Sequence, residues 1–511
     1  MVSHSSHLWL TVRRLATLLI VGIAFLALNA GAGDAPMWGQ WPTRNMVSDE
    51  VGLPDTVDVA NGDNVKWTVP LGTKTYASPI IAGSRIYIGT NNGRPRAPEH
   101  QGDRGILLCL NETDGSLRWQ LAVPKLPGDK YLDWPQVGIC SPPTVEGNRV
   151  YVVSNRGEIL CLDTAGLANG NDGPFDQEAV HAAPEGKQPV ALSKQDADIV
   201  WLFDMQRDAG TYCHDSAHSS ILIDGRYLYL NTGTGVDNTH RKIRRPDAPC
   251  LIVLDKLTGR LVAREQEGLG SVTFHCTWSS PAIGDVGGNR LLFYGGPDGV
   301  CYAFNTLPRA LSEGAVQALE KVWRFDCDPT APKSDVHTFI GNRQEGPTTI
   351  YGMPVFQEGA VYVAAGGDMW WGKRQSWLKR IDAGGSGDVT GSAETWSYPI
   401  SGHISATPAV HKGLVYVADC NRTLHCVDAQ TGKAVWTHKT QGPVWGSVLV
   451  ADGKLYLGTR GKQFLILAAD REKEVLSSTV LDGPVSGTAA AANGTVYVTT
   501  MRTLYAFAKA Q

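Results

Sequence analysis

Three short stretches of this chain carry side chains able to bind a metal or move a proton. Cys213-His214-Asp215 is followed closely by His218, His275-Cys276 comes in a later stretch, and His403 stands alone further on. Imidazole and thiolate together suit Zn or Cu, and the same groups can serve acid–base work. His214, Asp215, His218, His275, Cys276 and His403 are therefore the candidate cofactor or metal residues, and no residue is assigned as catalytic. Two other readings stay open for this set. Such residues can simply satisfy backbone groups around a wet channel, and Cys213 could form a disulfide with Cys276.

A second candidate is Asn169-Gly170-Asn171-Asp172-Gly173 with Asp163 upstream. Oxygen side chains alternating with Gly suit a Ca²⁺ loop, so Asp163, Asn169, Asn171 and Asp172 are candidate ligands. The bidentate Glu that ends an EF-hand loop is missing, and a plain Asx/Gly turn is the competing reading. Trp370-Trp371, flanked by Gly, reads as an exposed aromatic hairpin tip that could stack on a sugar or peptide, plug a channel or pack in the ordinary way. The run His240 to Arg245 reads as a solvated basic loop, with an anionic partner as the minority reading.

The elements that must position these groups come from one repeated phrase. It is clearest from Gly413 to Trp436: an alternating apolar strand, a turn, a strand ending at Asp428, a Thr-Gly turn, and a strand closing on Trp436. A unit of this size cannot bury its own apolar face, so copies must stack. The closing position recurs at Trp67, Trp119, Trp201, Trp323, Trp396 and Trp436, with Arg264 and Leu476 in two degenerate copies. These tryptophans are expected to dock each blade on the next. An independent marker, Ser-Pro or a relative before an apolar strand, recurs at Ser78, Ser141, Ser219, Ser280, Met353, Thr407, Ser447 and Thr488. Both series predict an all-β, eight-bladed β-propeller of four-stranded blades. A spare strand at Val65 to Val69 and a last unit that stops short predict closure by the N-terminal strand, which removes the exposed sheet edge.

Counted back from the opening marker, His214 and His275 share one place, and Asp215, Cys276 and His403 fall one residue later. All belong to loops that lead into the innermost strands, where propeller sites lie over the central channel.

The bulk numbers narrow the class. Charged residues are 19% of the 511, ordinary for a globular chain, and a net charge of −4 gives no electrostatic case for nucleic acid. Arg13 and Arg14, the apolar run Leu15 to Leu28 and Ala30-Gly31-Ala32 read as a signal peptide over residues 1–32. A leader segment follows over 33–64, then the propeller over 65–511 with an insertion at 164–198. The expected location is outside the cytoplasm, in the periplasm or cell envelope, with the N-terminus either cleaved or kept as an anchor. Cys109, Cys161 and Cys426 share one strand register and read as small buried apolar residues.

The motifs Val427 to Trp436 and Leu254 to Gly259 resemble the PQQ-like repeat of quinoprotein dehydrogenases and of the BamB-like outer-membrane assembly propeller. The leader Met37 to Pro54, the insertion Ala168 to Phe175 and the phrase Asp196 to Met205 resemble exported PQQ-like propellers of planctomycete-type bacteria, a family without an assigned reaction. The dehydrogenase resemblance implies pyrroloquinoline quinone with Ca²⁺ held by Glu, Asn and Asp, and often a vicinal Cys pair. That pair is absent here and no matching Glu and Asn stand in the channel loops, so quinone and calcium are disfavoured. The leading expectation is a non-catalytic binding or scaffold protein for a protein, peptide or polysaccharide partner, with association to a membrane complex left open. The alternative is a quinone- or metal-dependent oxidoreductase with its site at the channel mouth.

Overall fold

The computed structural model describes residues 33–308 and 314–510; the signal peptide expected over 1–32 lies outside them. Eight separate sheets, each with four antiparallel strands, form the blades of a ring, and three of them carry a short fifth strand in parallel: Val47–Ser48, Gln317–Ala318 and Gly387–Asp388. Blade one is Ile80–Ala82, Arg85–Asn91, Arg104–Asn111 and Leu117–Pro124. Blades two to seven begin at Thr144, Leu222, Ala282, Val355, Ala409 and Leu449. Blade eight runs Ala490–Ala492, Thr495–Thr499 and Thr503–Phe507, and its fourth strand is Val65–Pro70, paired antiparallel with Thr503–Phe507.

The apolar alternation of the strands is spent between blades. Each of eight core clusters joins two neighbouring blades, including the one that packs Ile86 and Leu108 of blade one on Tyr497 and Leu504 of blade eight. A sheet that is apolar on both faces needs a neighbour on each side, and only a closed ring supplies that for every blade.

The closing tryptophans act as clamps. The indole N–H of Trp119, Trp201, Trp323, Trp396 and Trp436 donates to the carbonyl of Thr164, Lys256, Ala383, Ala429 and Asp470 in the following blade, at 2.9–3.1 Å. Trp67 makes no such bond, although its ring lies against the turn of the following blade, where a Cβ at Gly115 would stand 3.2 Å from it. The Asp/Thr-Gly turn presents the surface these rings meet. Asp428 Oδ1 accepts from the backbone of Thr431, and Gly432 turns at φ 69° under the Trp396 ring. A Cβ at Gly432 would stand 2.7 Å from that ring.

The opening marker also has a physical role. The backbone N–H of Met353, Thr407, Ser447 and Thr488 donates to the hydroxyl of Thr407, Ser447, Thr488 and Ser78, each at 2.9 Å. Ser220 N–H does the same to Ser280. These bonds stitch one blade's opening to the next around the channel.

The leader closes the opposite end of the channel, reaching the eight blades in order. Ala35 and Pro36 accept from the innermost strands at Ile81 and Val145; the Trp41 indole donates to Ile223; Pro42 and Thr43 accept from Ile283 and Phe356. The Asn45 side chain then pairs with Val410 in both directions, Met46 accepts from Val450, and Glu50 accepts from Gly494. Arg44 is fully buried at the centre of this plug and donates to Trp38, Ser220 and Pro281 carbonyls and to the Ser220 hydroxyl. Burial lowers its pKa to about 9, which leaves it cationic at neutral pH.

Candidate metal centre and channel cavity

In a four-stranded antiparallel blade the chain alternates direction. Loops between blades and loops between the second and third strands therefore fall on the same face. That face, opposite the leader, carries the candidate residues. His214 and Asp215 lie in the loop leading to Leu222–Asp224, and His275 in the loop leading to Ala282–Val286. His240 belongs to the insertion between Tyr227–Asn231 and Leu251–Asp255, and Asp368 to the loop between Ala360–Gly366 and Ser376–Asp382.

Backbone bonds lock these loops together. Residue pairs Cys213/Thr234 and Gly235/Cys276 form isolated antiparallel bridges, so the third-blade insertion runs between the other two loops. Gly235 is required by that approach, because a Cβ there would stand 2.5 Å from the His275 carbonyl oxygen and 2.6 Å from His214 Cβ. Asp215 and Ser216 are held in the left-handed region, at φ 58° and 75°, with Asp215 N–H donating to the Tyr131 carbonyl at 2.7 Å. Non-glycine residues hold that conformation only where the surroundings impose it, and such positions cluster at functional sites.

The result is a buried three-histidine cluster. One ring nitrogen from each of His214, His240 and His275 falls within 4.8 Å of the others, the one such group of three or more ligand-type residues among the described residues. His214 Nδ1–H donates to the Val236 carbonyl at 2.8 Å, which turns its Nε2 toward His240 Nε2 at 3.1 Å. His275 Nδ1 bonds Asp368 Oδ2 at 3.0 Å, and Asp368 also accepts from the Tyr351 hydroxyl and the backbone of Trp370 and Trp371. The Asp215 carboxylate stands 3.4 Å from His275 Nε2 and 3.8 Å from His214 Nε2.

Burial, reinforced by His275, lowers the His214 pKa to about 3, so that ring is neutral. Burial also lowers His240. For His275 burial acts in the same sense, but Cys276 and the Asp368 and Asp215 carboxylates together outweigh it and raise the pKa well above the usual imidazole range. Those carboxylates are in turn held low by His275 against the opposing effect of burial.

The remaining candidates divide. His218 lines the channel cavity with its ring 5.1 Å from that of Trp278, and burial lowers its pKa to about 4. Cys276 is buried, its thiol pushed up to about 11, and it lies outside the three-histidine group. His403 is half-buried and turned toward the Gly372 carbonyl, also away from the group. The disulfide alternative is corrected: Cys213 and Cys276 are both free, with Cys213 Sγ on the Thr232 carbonyl at 3.3 Å. The solvated-loop reading of His240 is corrected as well, since only 8% of it is exposed. The oxygen side chains of the 163–172 segment do not converge on one point: Asp163 pairs with Arg149, Asn171 donates to Glu178, and Asn169 donates to Asp172. Sequence reasoning passed over His240 as a ligand and Asp368 altogether. The signal that could have found both is that second-to-third-strand loops share the site's face.

Around the cluster the mouth is aromatic. The Tyr131 ring lies parallel to His214 at 5.2 Å, Trp371 meets His240 at 5.0 Å, and Trp370 meets both His275 and Trp278. Trp370-Trp371 is thus folded over the channel mouth, with Trp371 37% exposed. Beneath it is a cavity of about 470 Å³ whose wall includes Tyr76, Trp445, Asp215, His218 and His240, and Trp38 of the leader.

Comparisons agree with this architecture. Residues 56–171 and 357–475, together a little under half the chain, match the family model described as outer membrane protein assembly factor BamB. Two curated relatives are each 27% identical. The quinohemoprotein alcohol dehydrogenase ADH IIB of Pseudomonas putida matches over 127 residues, and the quinohemoprotein alcohol dehydrogenase of Comamonas testosteroni over 117. These matches cover 22% and 20% of this chain and 16% of each relative's length. Among solved structures, BamB from Moraxella catarrhalis has a TM-score of 0.50 at 11% identity, covering 86% of this chain and 96% of its own. A europium-containing methanol dehydrogenase also reaches 0.50, at 12% identity, covering 93% and 98%. At such identities the likeness is one of fold. Fold and repeats together define an eight-bladed propeller of PQQ-like repeats, similar over part of its sequence to BamB and to quinohemoprotein alcohol dehydrogenases.

Proposed function

We propose that this chain is an exported, non-catalytic binding or scaffold protein of the cell envelope. In this reading it takes a segment of a peptide, protein or polysaccharide partner into the cavity at its channel mouth. The observation that carries the reading is the cavity itself: about 470 Å³, walled by Tyr76, Tyr131, Trp134, Trp278, Trp370 and Trp445, and floored by Trp38. Rigid aromatic faces with few exposed charges bind sugar rings and side chains by stacking, at low cost in side-chain entropy. The export signal read at residues 1–32, the likeness to BamB and the leader's resemblance to planctomycete-type exported propellers support the location.

The lining does not fit pyrroloquinoline quinone. No Lys or Arg is among the residues that line the cavity to meet its carboxylates, and Asp215 is the one lining carboxylate that could hold Ca²⁺. Titration with the quinone plus Ca²⁺, followed by tryptophan fluorescence, is expected to show no saturable quenching. Cell-envelope peptides and oligosaccharides are expected to quench saturably, and Trp370→Ala to weaken that binding at least tenfold. Saturable quinone binding, or partner binding indifferent to Trp370, would refute the reading. A metal-dependent oxidoreductase is the second reading, favoured by the three-histidine cluster, of which His240 lines the cavity.

A further inference from the structure

We propose that His214, His240 and His275, with the Asp215 carboxylate, form a mononuclear site for a late first-row divalent ion of the Zn²⁺ or Co²⁺ type, one coordination position facing the cavity. The proposal goes beyond the binding reading and holds whatever partner the cavity takes.

Four observations converge on it. The first is donor direction. His214 and His275 each spend Nδ1 outside the cluster, on the Val236 carbonyl and on Asp368, which leaves Nε2 as the inward atom. A ligating imidazole is typically oriented in this way, its other nitrogen on a carbonyl or carboxylate. The second is unmet bonding capacity. His275 Nε2 and Asp215 Oδ1 are buried and have no hydrogen-bond partner, although Asp215 Oδ2 stands only 3.4 Å from that nitrogen. A buried polar atom left unpaired is costly, and an ion between these groups, replacing the His275 Nε2 proton, which is released to solvent, would satisfy both at once.

The third is spacing. Two nitrogens on one tetrahedral ion with bonds of about 2.0–2.1 Å stand roughly 3.3 Å apart. His214 and His240 are already at 3.1 Å. The widest histidine pair, no more than 4.8 Å, closes by a movement of side chains; Asp215 lies outside that group, 3.4 Å from His275 Nε2 and 3.8 Å from His214 Nε2, and joins by the same kind of movement. The fourth is the donor set. Three imidazoles and one carboxylate favour Zn²⁺, Co²⁺, Cu²⁺ or Ni²⁺ over Mg²⁺ and Ca²⁺, which prefer an all-oxygen shell. Asp215 and His240 also line the channel cavity, so an open position at the ion would face whatever occupies that space.

The test is titration of tag-free, chelator-stripped full chain with Zn²⁺ by calorimetry and with Co²⁺ by visible absorption. One ion per chain is expected, with Co²⁺ bands of four- or five-coordinate geometry. His240→Gln, at the mouth of the cluster, is expected to keep the fold by circular dichroism and to weaken binding at least 100-fold. Asp368→Asn is expected to weaken it by about 10–100-fold at unchanged stoichiometry, as loss of a carboxylate behind a ligating imidazole does. Binding that is equal in the parent and His240→Gln proteins, Ca²⁺ bound in preference to Zn²⁺, or no binding tighter than at scattered surface histidines would overturn the proposal.

Discussion

At the scale of single residues, burial decides what each histidine is. His214, His275 and His218 occupy similar loops, yet burial holds His214 and His218 low while Cys276 and two carboxylates hold His275 high. His218 gives a measurable consequence. Its folded pKa is about 4 against 6.5 for the free side chain, so between those values the unfolded chain binds the extra proton. Stability contributed by neutral His218 is present above pH 6.5 and is lost as pH falls toward 4. Thermal unfolding at pH 7.5 and pH 5 should therefore show a smaller acid-induced drop in His218→Gln than in the parent. An equal drop would mean that His218 is not held neutral by its surroundings.

At the scale of the element, the blade turn couples local backbone to the packing between blades. Gly432 must turn at positive φ and also lie under Trp396, whereas Gly413 has a similar φ of 76° with open space where a Cβ would point. Gly413→Ala should cost only the left-handed backbone penalty, about 1–2 kcal/mol. Gly432→Ala adds a clash with the neighbouring ring and should cost about 3 kcal/mol or more, since overpacking typically adds 1–3 kcal/mol. Denaturant unfolding of the two variants separates the contributions; equal losses would show that the Trp clamp carries no strain-sensitive contact. The same element explains why the Ser/Thr of the opening marker could be counted before its role was visible. A hydroxyl recurs there because the N–H of the preceding blade needs an acceptor at that point.

At the scale of the whole molecule, the ring and its plug depend on each other. Residues 35–50 satisfy backbone groups of every blade at one end of the channel and bury the Arg44 cation on carbonyl and hydroxyl oxygens. Deleting residues 33–50 exposes the N–H groups of Ile81, Val145, Ile283, Phe356, Val410 and Val450 to water and opens the cavity floor at Trp38. The truncated protein should keep its β-sheet signal, unfold at a lower temperature and be cleaved faster by protease. An unchanged unfolding midpoint would show that the leader's bonds merely replace equivalent bonds to water.

The eight-bladed ring was legible in the sequence because propeller blades are local units. Except in blade eight, whose last strand comes from Val65–Pro70, the strands, turns and closing position of a blade lie within one repeat, so two marker series could be counted without knowing any long-range contact. Composition and pattern also placed His214, Asp215 and His275 at the channel mouth, since register within a repeat fixes which end of the channel a loop faces. The tertiary structure alone decided which of the candidates meet. His240 is separated from His275 by most of a blade in sequence, and Asp368 by more than that, yet backbone bridging between loops and the close approach at Gly235 bring their side chains together. The same loop packing left Cys276 beside His275 but outside the three-histidine group, and turned His403 toward the Gly372 carbonyl. A repeat carries its own fold in its pattern, but a site made by insertions from different repeats depends on side-chain packing across the ring.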